Sequence, residues 1–401
     1  MKLRRDTSRN LVTCGTLPAK LLVTVAVLFL AVPTAEAVDW SATSVITERA
    51  EVDDNIGVDV DSDGEVYGSS TSVSLDVKAT TQRSTLNVSG GFNLNEFAGP
   101  GADSDLDSFS QNAGGNLQIR GPRSTFGLTS SFSRQNTTFS EFEDTGVNNG
   151  ATDRISYSVG GNVSVNVNRS NRLTVSAGFD AVDFGRPVDR LTPFQNIETS
   201  AAWITNLTEN TDFEVRGTAG FLRRDDLEDT RNETFSVTGR LTTDVTSYLT
   251  VFGSGGVNLI HSTETPIAGM RQSDTRVGTL FDVGFDYQVG VANVGVSFSQ
   301  SVSPSATDGL RENRSVNANL SHRINTISSV SLSAIYSMQT STSSEGSDRT
   351  FARISPTYSV QLSRYWHFGL GYEFRFQDGD DGSGKSNKVF GTLSRKFVLL
   401  P

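Results

Sequence analysis

The sequence predicts an all-β protein, a closed antiparallel transmembrane β-barrel of about 18 strands (roughly 16–18), with short periplasmic turns and long outer loops. Three observations carry this. Apolar and polar residues alternate with a period of two almost without interruption from Trp40 to Phe397. The links between the alternating stretches are long and short by strict turns. Only 36% of the 401 residues are hydrophobic, with 37 glycines and 10 prolines. A soluble chain of that composition struggles to bury a core, whereas a membrane barrel needs apolar residues only on its lipid face.

The first 37 residues read as a cleavable signal peptide and residues 38–401 as the barrel. Lys2, Arg4, Arg5, Arg9 and Lys20 form a basic start, Leu21 to Val32 an apolar run, and Ala35-Glu36-Ala37 an A-x-A cleavage site. The run of about 12 residues is short for a membrane span. Cys14 is the only cysteine and leaves with the signal, which excludes disulfides and thiolate metal sites. The chain carries a net charge of −11, and the signal removes more basic than acidic residues. No basic nucleic-acid footprint exists, so nucleic acid is excluded as a partner.

The strands follow in order. A first lies near Trp40 to Ala50. Val73, Leu75, Val77 and Ala79 alternate with Ser74, Asp76 and Lys78; Leu86, Val88, Phe92 and Leu94 follow the same rule. Then come Phe109 to Ile119, Phe126 to Phe132, Ile155 to Val167, Leu173 to Phe179, Ile197 to Trp203 and Phe213 to Phe221. The second half repeats the scheme: Phe235 to Leu241, Leu249 to Leu259, Val277 to Tyr287, Val294 to Phe298, Val316 to Leu320 and Val330 to Tyr336. Ile354 to Leu362, Trp366 to Phe376 and Val389 to Phe397 close the chain. Alternation breaks at Val182–Phe184, and both faces look apolar at Tyr248–Phe252.

Short links are Thr80–Ser84, Gly121–Ser124, Arg169–Arg172, Asn206–Asn210, Thr243–Ser247, Gln288–Val291, Asn325–Ser328 and Ser363–Tyr365. Between them lie long polar links, beginning with Asp53–Ser69, Ala98–Asp107 and Asn136–Thr152 and ending with Gln377–Lys385. Membrane barrels place short turns in the periplasm and long loops outside. Spans of roughly 9–11 residues plus such connections consume the chain, which leaves nothing for a plug or periplasmic domain. Trp40, Trp203, Tyr248, Tyr336, Tyr365 and Trp366 lie near strand ends, as interfacial girdles require. Outer-membrane lipid is thus one expected partner.

By parity, one face carries Val, Leu, Ile, Ala, Gly and aromatics, and the other Ser, Thr, Asn and scattered charges. Asp76, Lys78, Arg120, Glu214, Arg216, Arg240, Asp282, Asp286, Glu373 and Arg375 fall on the polar parity and are the pore-lining candidates. Few aromatics share that parity, so no track for stacking sugar rings is evident. The third long link carries Glu141, Glu143 and Asp144. By analogy with general porins, whose third loop folds inward, these would constrict the pore; the alternative is a loop that stays outside.

Three patterns suggest other chemistry. Gly379 to Ser386 matches a P-loop letter for letter, but a strand follows it where a helix is needed, and Asp380 and Asp381 repel phosphate. We expect this match to be chance. Asp59, Asp61, Asp63 and Gly64 begin like a calcium loop, yet Ser70 stands where a bidentate Glu belongs. A solvated acidic loop is the expectation. His261 beside Ser262 in an outer loop, His322 and His367 assemble no base, nucleophile and orienter, so no enzyme activity and no cofactor are expected.

The stretch from Trp40 to Phe97, with Asp53-Asp54-Asn55 after the first strand, resembles the β-barrel porin type 2 group, associated with exopolysaccharide or exosortase systems. The layout likeness spans the chain beyond the signal; the residue likeness is confined to that acidic motif. The resemblance implies a conduit by which a secreted polysaccharide crosses the outer membrane, with polysaccharide and its periplasmic export proteins as partners. Val52 departs from the group's pattern before the acidic pair. The chain ends Phe397-Val-Leu-Leu-Pro401, which leaves Phe397 as the terminal-strand aromatic offered to barrel-assembly machinery. The residues alone equally admit a general diffusion porin, or a non-conducting surface barrel acting as adhesin or scaffold.

Overall fold

A computed structural model describes residues 38–62, 64–102, 106–137, 152–186, 191–224, 230–264, 272–305, 309–341, 348–379 and 382–400. The signal segment, Glu141, Glu143, Asp144, Asp63, Asp380 and Asp381 lie outside them.

Eighteen antiparallel strands, β1 (Asp39–Asp53) to β18 (Gly382–Leu400), follow one another around a closed wall. Each strand pairs with its neighbours in sequence, and β1 pairs with both β2 (Val66–Thr80) and β18. Closure leaves no edge, so the wall satisfies its backbone donors and acceptors where lipid offers none. The short turns fall at or within a few residues of where the sequence puts them: β2 ends at Thr80 and β3 (Ser84–Ala98) starts at Ser84, whereas the strand from Arg231 runs on to Thr246, through most of the expected Thr243–Ser247 link.

The strands are longer than the membrane needs. They run from 13 to 19 residues, against the roughly 9–11 a bilayer requires. Much of the excess lies at the outer ends, in segments too polar to read as membrane strand, though Arg231–Thr246 also extends past Leu241 at its inner end. β11 (Leu249–Glu264) therefore includes His261, which the sequence assigns to a loop, and its Nδ1 lies 2.9 Å from the Thr275 hydroxyl.

The pairing registers put most of the apolar positions on one side. Ile46, Leu75, Phe92, Val163, Val175, Val237, Val283 and Leu370 are among many large apolar side chains left 38–56% exposed. Exposure of this kind would be a liability in water and is the required surface in lipid. Trp40, Trp203, Tyr336 and Trp366 share that face, Tyr248 and Tyr365 lie in short turns beside it, and all six are 37–57% exposed. Arg395 lies over the Trp366 ring at 5.4 Å and the Phe397 ring at 4.7 Å, as a snorkelling cation does at an interface.

One seam departs from uniform pairing. β12 (Gln272–Val289) pairs with β11 along its full length, but with β13 (Ala292–Ser305) only from Phe281–Gln300 downward. Gln300 closes the fork, donating from Nε2 to the Thr279 carbonyl at 2.8 Å. Beyond it, β13 continues with β14 (Gly309–Arg323) alone. Val302 and Leu310 have the parity of the lipid-facing Val296 and Val316, yet pack with Val182, Phe184, Phe194, Leu222 and Ile260, which have inward parity. The outer end of the β13–β14 pair, the tip region of Val302, Leu310 and Arg311, therefore leans inward across the mouth. This explains the broken alternation at Val182–Phe184: these side chains face inward but meet an apolar tip.

The two faces differ in what they tolerate. Val283→Arg, on the lipid side, is expected to cost about 2–4 kcal/mol, while Ser297→Arg on the opposite parity folds with nearly unchanged stability. Urea titration of refolding into lipid vesicles measures both; equal costs would mean the faces are misassigned.

Candidate functional site: the lumen and its mouth

The inner face has hydroxyl ladders. Thr47 and Ser394 are 2.9 Å apart, Ser176 and Ser200 2.7 Å, Ser299 and Ser315 3.0 Å, and Ser329 and Ser359 2.8 Å. Such side chains offer donors and acceptors to water at any orientation.

Charges on this parity are mostly matched. Arg216 Nε donates to Glu214 at 2.7 Å on β9 (Thr211–Arg224). Arg240 of β10 (Arg231–Thr246) reaches across β11 to Asp282 at 3.0 Å, with its guanidinium 4.5 Å above the Phe252 ring. That stacking accounts for the doubly apolar look of Tyr248–Phe252. Arg120 Nη2 donates to Gln118 at 2.9 Å. Asp76 and Lys78 stand opposite Thr43 and Ser41 on β1, and Asp286 stands opposite Thr250 and Gly295. Glu373 and Arg375, on β17 (Trp366–Gly379), belong to a larger constellation with Lys388 and Asp53.

That constellation is a column on β17, β18 and β1. At its foot the Arg49 guanidinium lies 3.9 Å from the Phe390 ring centre while its Nε donates to Glu51 at 2.7 Å. Above, Lys388 Nζ meets Glu373 at 2.8 Å. Next, Arg375 Nη2 donates to Asp53 and, at 2.8 Å, to the Ser386 hydroxyl, which donates to Asp53 Oδ1 at 2.7 Å. Asp53 is 1% exposed, Ser386 0% and Arg375 8%. A buried carboxylate is tolerated only when paired and hydrogen-bonded in this way.

The triad holds the first outer loop inside the barrel. The Asn55 amide N–H donates to Asp53 Oδ1 at 3.1 Å. Asn55 then organises the loop: its Oδ1 accepts from the Asp59 N–H, and its Nδ2 donates to the carbonyls of Asp59 and Lys385, at 2.7 and 3.0 Å. Asp54 receives both the backbone N–H and the Nδ2 of Asn387 at 2.7 Å. Val58, at φ 55°, is 4% exposed and packs on Phe351, with Ile335 beside it. A β-branched residue in the left-handed region is strained and persists only where surrounding contacts over-determine it. Phe351 and Ile335 lie on the inner parity of β16 (Arg349–Gln361) and β15 (Ser328–Ser341), so the loop reaches across the inner wall.

Glycine permits that approach. A Cβ on Gly384 would overlap the Val58 carbonyl, and one on Gly382, at φ 114°, would sit 2.8 Å from Val60. Gly382, Gly384 and Ser386 belong to the P-loop-like run. Together these residues give the first loop a smooth floor and an anchor. Within the acidic loop Asp59 and Asp61 are exposed, while Asp53, Asn55 and Val58 at its start are buried and tied down within the mouth. The expectation of few inward aromatics is corrected: Phe184, Phe194, Phe252, Phe351 and Phe390 have inward parity. The visible constriction comes from the first loop and the β13–β14 tip. Arg311 in that tip is 2% exposed and donates to Gln339 at 2.6 Å.

Parity gives the ten charged candidates but passes over Asp53, Asn55, Gly384 and Ser386. The available signal was the spacing of Gly382, Gly384 and Ser386 on one face of a strand, opposite a chain segment with three consecutive capping-type residues. Among the described residues, no three His, Cys, Asp or Glu converge as metal ligands would.

By sequence, no protein family and no curated protein matches the chain. By structure, it is similar to a BenF-like porin from Pseudomonas fluorescens Pf-5, at 10% identity and a TM-score of 0.50, covering 90% of this chain and 99% of that one. OpdQ of Pseudomonas aeruginosa aligns at 10% identity and TM-score 0.48, over 90% and 100% of the two chains. OccK2 (OpdF) of Pseudomonas aeruginosa, in complex with glucuronate, aligns at 10% and 0.46, over 90% and 99%. The fold is that of outer-membrane porins.

If the triad holds the loop, Arg375→Gln strands a buried carboxylate at a cost of about 3–5 kcal/mol and releases it. The expected result is larger, noisier single-channel conductance and faster proteolysis between residues 54 and 62. Gly384→Val should do the same by steric exclusion with no change of charge. Unaltered proteolysis in both variants would show that the loop is held elsewhere.

Proposed function

We propose that this protein is a passive outer-membrane porin for small hydrophilic solutes, with the ten polar-parity candidates lining its path. One observation carries the reading: a closed 18-strand wall encloses a hydroxyl-rich face with matched charges, and its mouth is narrowed from two sides by docked elements. A wall of this strand number leaves an aqueous interior. Hydroxyls and matched ion pairs substitute for bulk water without trapping a solute, which favours passage over retention.

Polysaccharide export, which the resemblance implied, fits less well. A hydrated polymer needs an unobstructed mouth and gains from a continuous aromatic track. Here the inward aromatics are spent beneath the first loop, beneath the leaning tip or under Arg49 and Arg240. Small solutes can pass beside such elements, and the outer-membrane setting supplies the lipid that the exposed apolar band requires.

The test is reconstitution of the full chain. In planar bilayers we expect discrete conductance steps, and in liposome swelling we expect entry of monosaccharides with slower entry of trisaccharides. A strain lacking the gene should secrete polysaccharide at the parental level. Polymer retained in the periplasm would restore the export reading, and an absence of conductance steps would favour a surface scaffold.

A further inference from the structure

At the inner periplasmic rim, three short connections surround a polar cavity of about 610 Å³. Arg123, Arg169 and Arg172 line it, together with Asn166, Asn206 and Asp212. Arg123 ends the turn between β4 (Ser108–Arg120) and β5 (Ser124–Asn136). Arg169 lies in the turn between β6 (Asp153–Asn166) and β7 (Asn171–Phe184), and Arg172 begins the inner face of β7. Asn206 and Asp212 face each other across β8 (Phe194–Thr208) and β9.

The cavity is built on fixed backbone. The Asn168 side-chain oxygen accepts from the N–H groups of Ser170 and Asn171, at 2.9 and 2.8 Å, which sets the turn bearing Arg169. Asn166 N–H donates to the Arg123 carbonyl at 2.8 Å, and Asn206 N–H to the Ser170 carbonyl at 2.9 Å, which lock the three connections together. The guanidiniums are otherwise uncommitted. Among the described residues none of the three makes an ion pair, and Asp212, the one carboxylate in the cavity, is not within pairing distance of them. This contrasts with the lumen above, where Glu214 holds Arg216 and Asp282 holds Arg240.

We propose that this cavity is an exit-side binding site for small oxyanionic solutes, carboxylates or phosphates, with Arg123, Arg169 and Arg172 holding the anion and Asn166 and Asn206 its hydroxyls. The proposal rests on the porin reading for its physiological meaning. Guanidinium forks match two oxygens of a carboxylate or phosphate, and three forks against one carboxylate leave a net positive cavity. Asparagine amides supply the donor and acceptor pairs that polyhydroxylated solutes need. Arg172 shares its rung with Glu214 and Arg240 across Ile204, so an anion leaving the lumen arrives from a region where cations are already compensated. Past Arg120, which only the Gln118 amide holds, its next uncompensated partners on this wall are the rim arginines.

The test uses the full chain in planar bilayers, with gluconate as probe, glucose as the neutral comparison and inorganic phosphate as the second anion. Each is added to one side at a time. Gluconate and phosphate on the periplasmic side should interrupt current where glucose does not. Arg123→Gln, Arg169→Gln and Arg172→Gln combined should raise the gluconate concentration needed by about tenfold, the order expected for one charge-assisted hydrogen bond. Arg83→Gln, Arg323→Gln and Arg364→Gln combined remove the same charge from other rim positions and should leave it unchanged. Equal weakening by both triples, or equal block by glucose, would overturn the site. If the wild-type barrel passes no current, the porin reading fails first. Phosphorus-31 line broadening of phosphate by the detergent-solubilised barrel then decides the site alone, since broadening lost in the first triple only would sustain it and no broadening would end it.

Discussion

Closure of the hydrogen-bonded wall is the constraint on which the rest of this molecule depends. In lipid, an unpaired backbone group costs several kcal/mol, so strands can cross only as a ring without edges. The β1–β18 pairing completes that ring. Once it is closed, period-two alternation assigns each residue to lipid or lumen, and a slip of one residue would exchange the faces wholesale. The constraint acts only where lipid is present. Above the apolar band the ladder is free to fork, and it does so between β12 and β13. The fork lets one hairpin tip lean over the mouth.

The two elements that narrow the mouth are held by different physics. The β13–β14 tip is fastened by apolar contact with Phe184, Phe194, Leu222 and Ile260, an arrangement that tolerates sliding and substitution. The first loop is fastened by a buried carboxylate, a guanidinium and a hydroxyl, whose geometry must be satisfied together. Glycine at 384 and the strained Val58 belong to the second arrangement, because a loop pressed onto a strand leaves no room for a Cβ between them. Position therefore matters more for the loop than for the tip.

Charge is sorted along the barrel axis. The chain is acidic overall, at −11. Its short turns nevertheless carry Arg83, Arg123, Arg169 and Arg364 against Glu209, while the first long link alone holds Asp54, Asp59, Asp61, Asp63 and Glu65. Between these ends the lumen charges are largely paired. In the proposed porin reading, an anion would meet repulsion outside, compensation within and attraction at the rim, and a cation the reverse.

Alternation, link lengths and composition were enough to read the barrel, its strand number, its turns and the parity of its charged residues. These properties are local: side-chain period and turn chemistry are written in neighbouring residues. The third link could be singled out by length, but it lies outside the described residues. The docked first loop was invisible because Asp53 and Ser386 are 333 positions apart and meet only through the closing β1–β18 pair. Val182 and Phe184 looked like broken alternation because their partners come from a tip whose face had turned over. Local pattern determined which way each strand faces; only the tertiary structure decided what leans into the space those faces enclose, since that depends on contacts between segments brought together by closure.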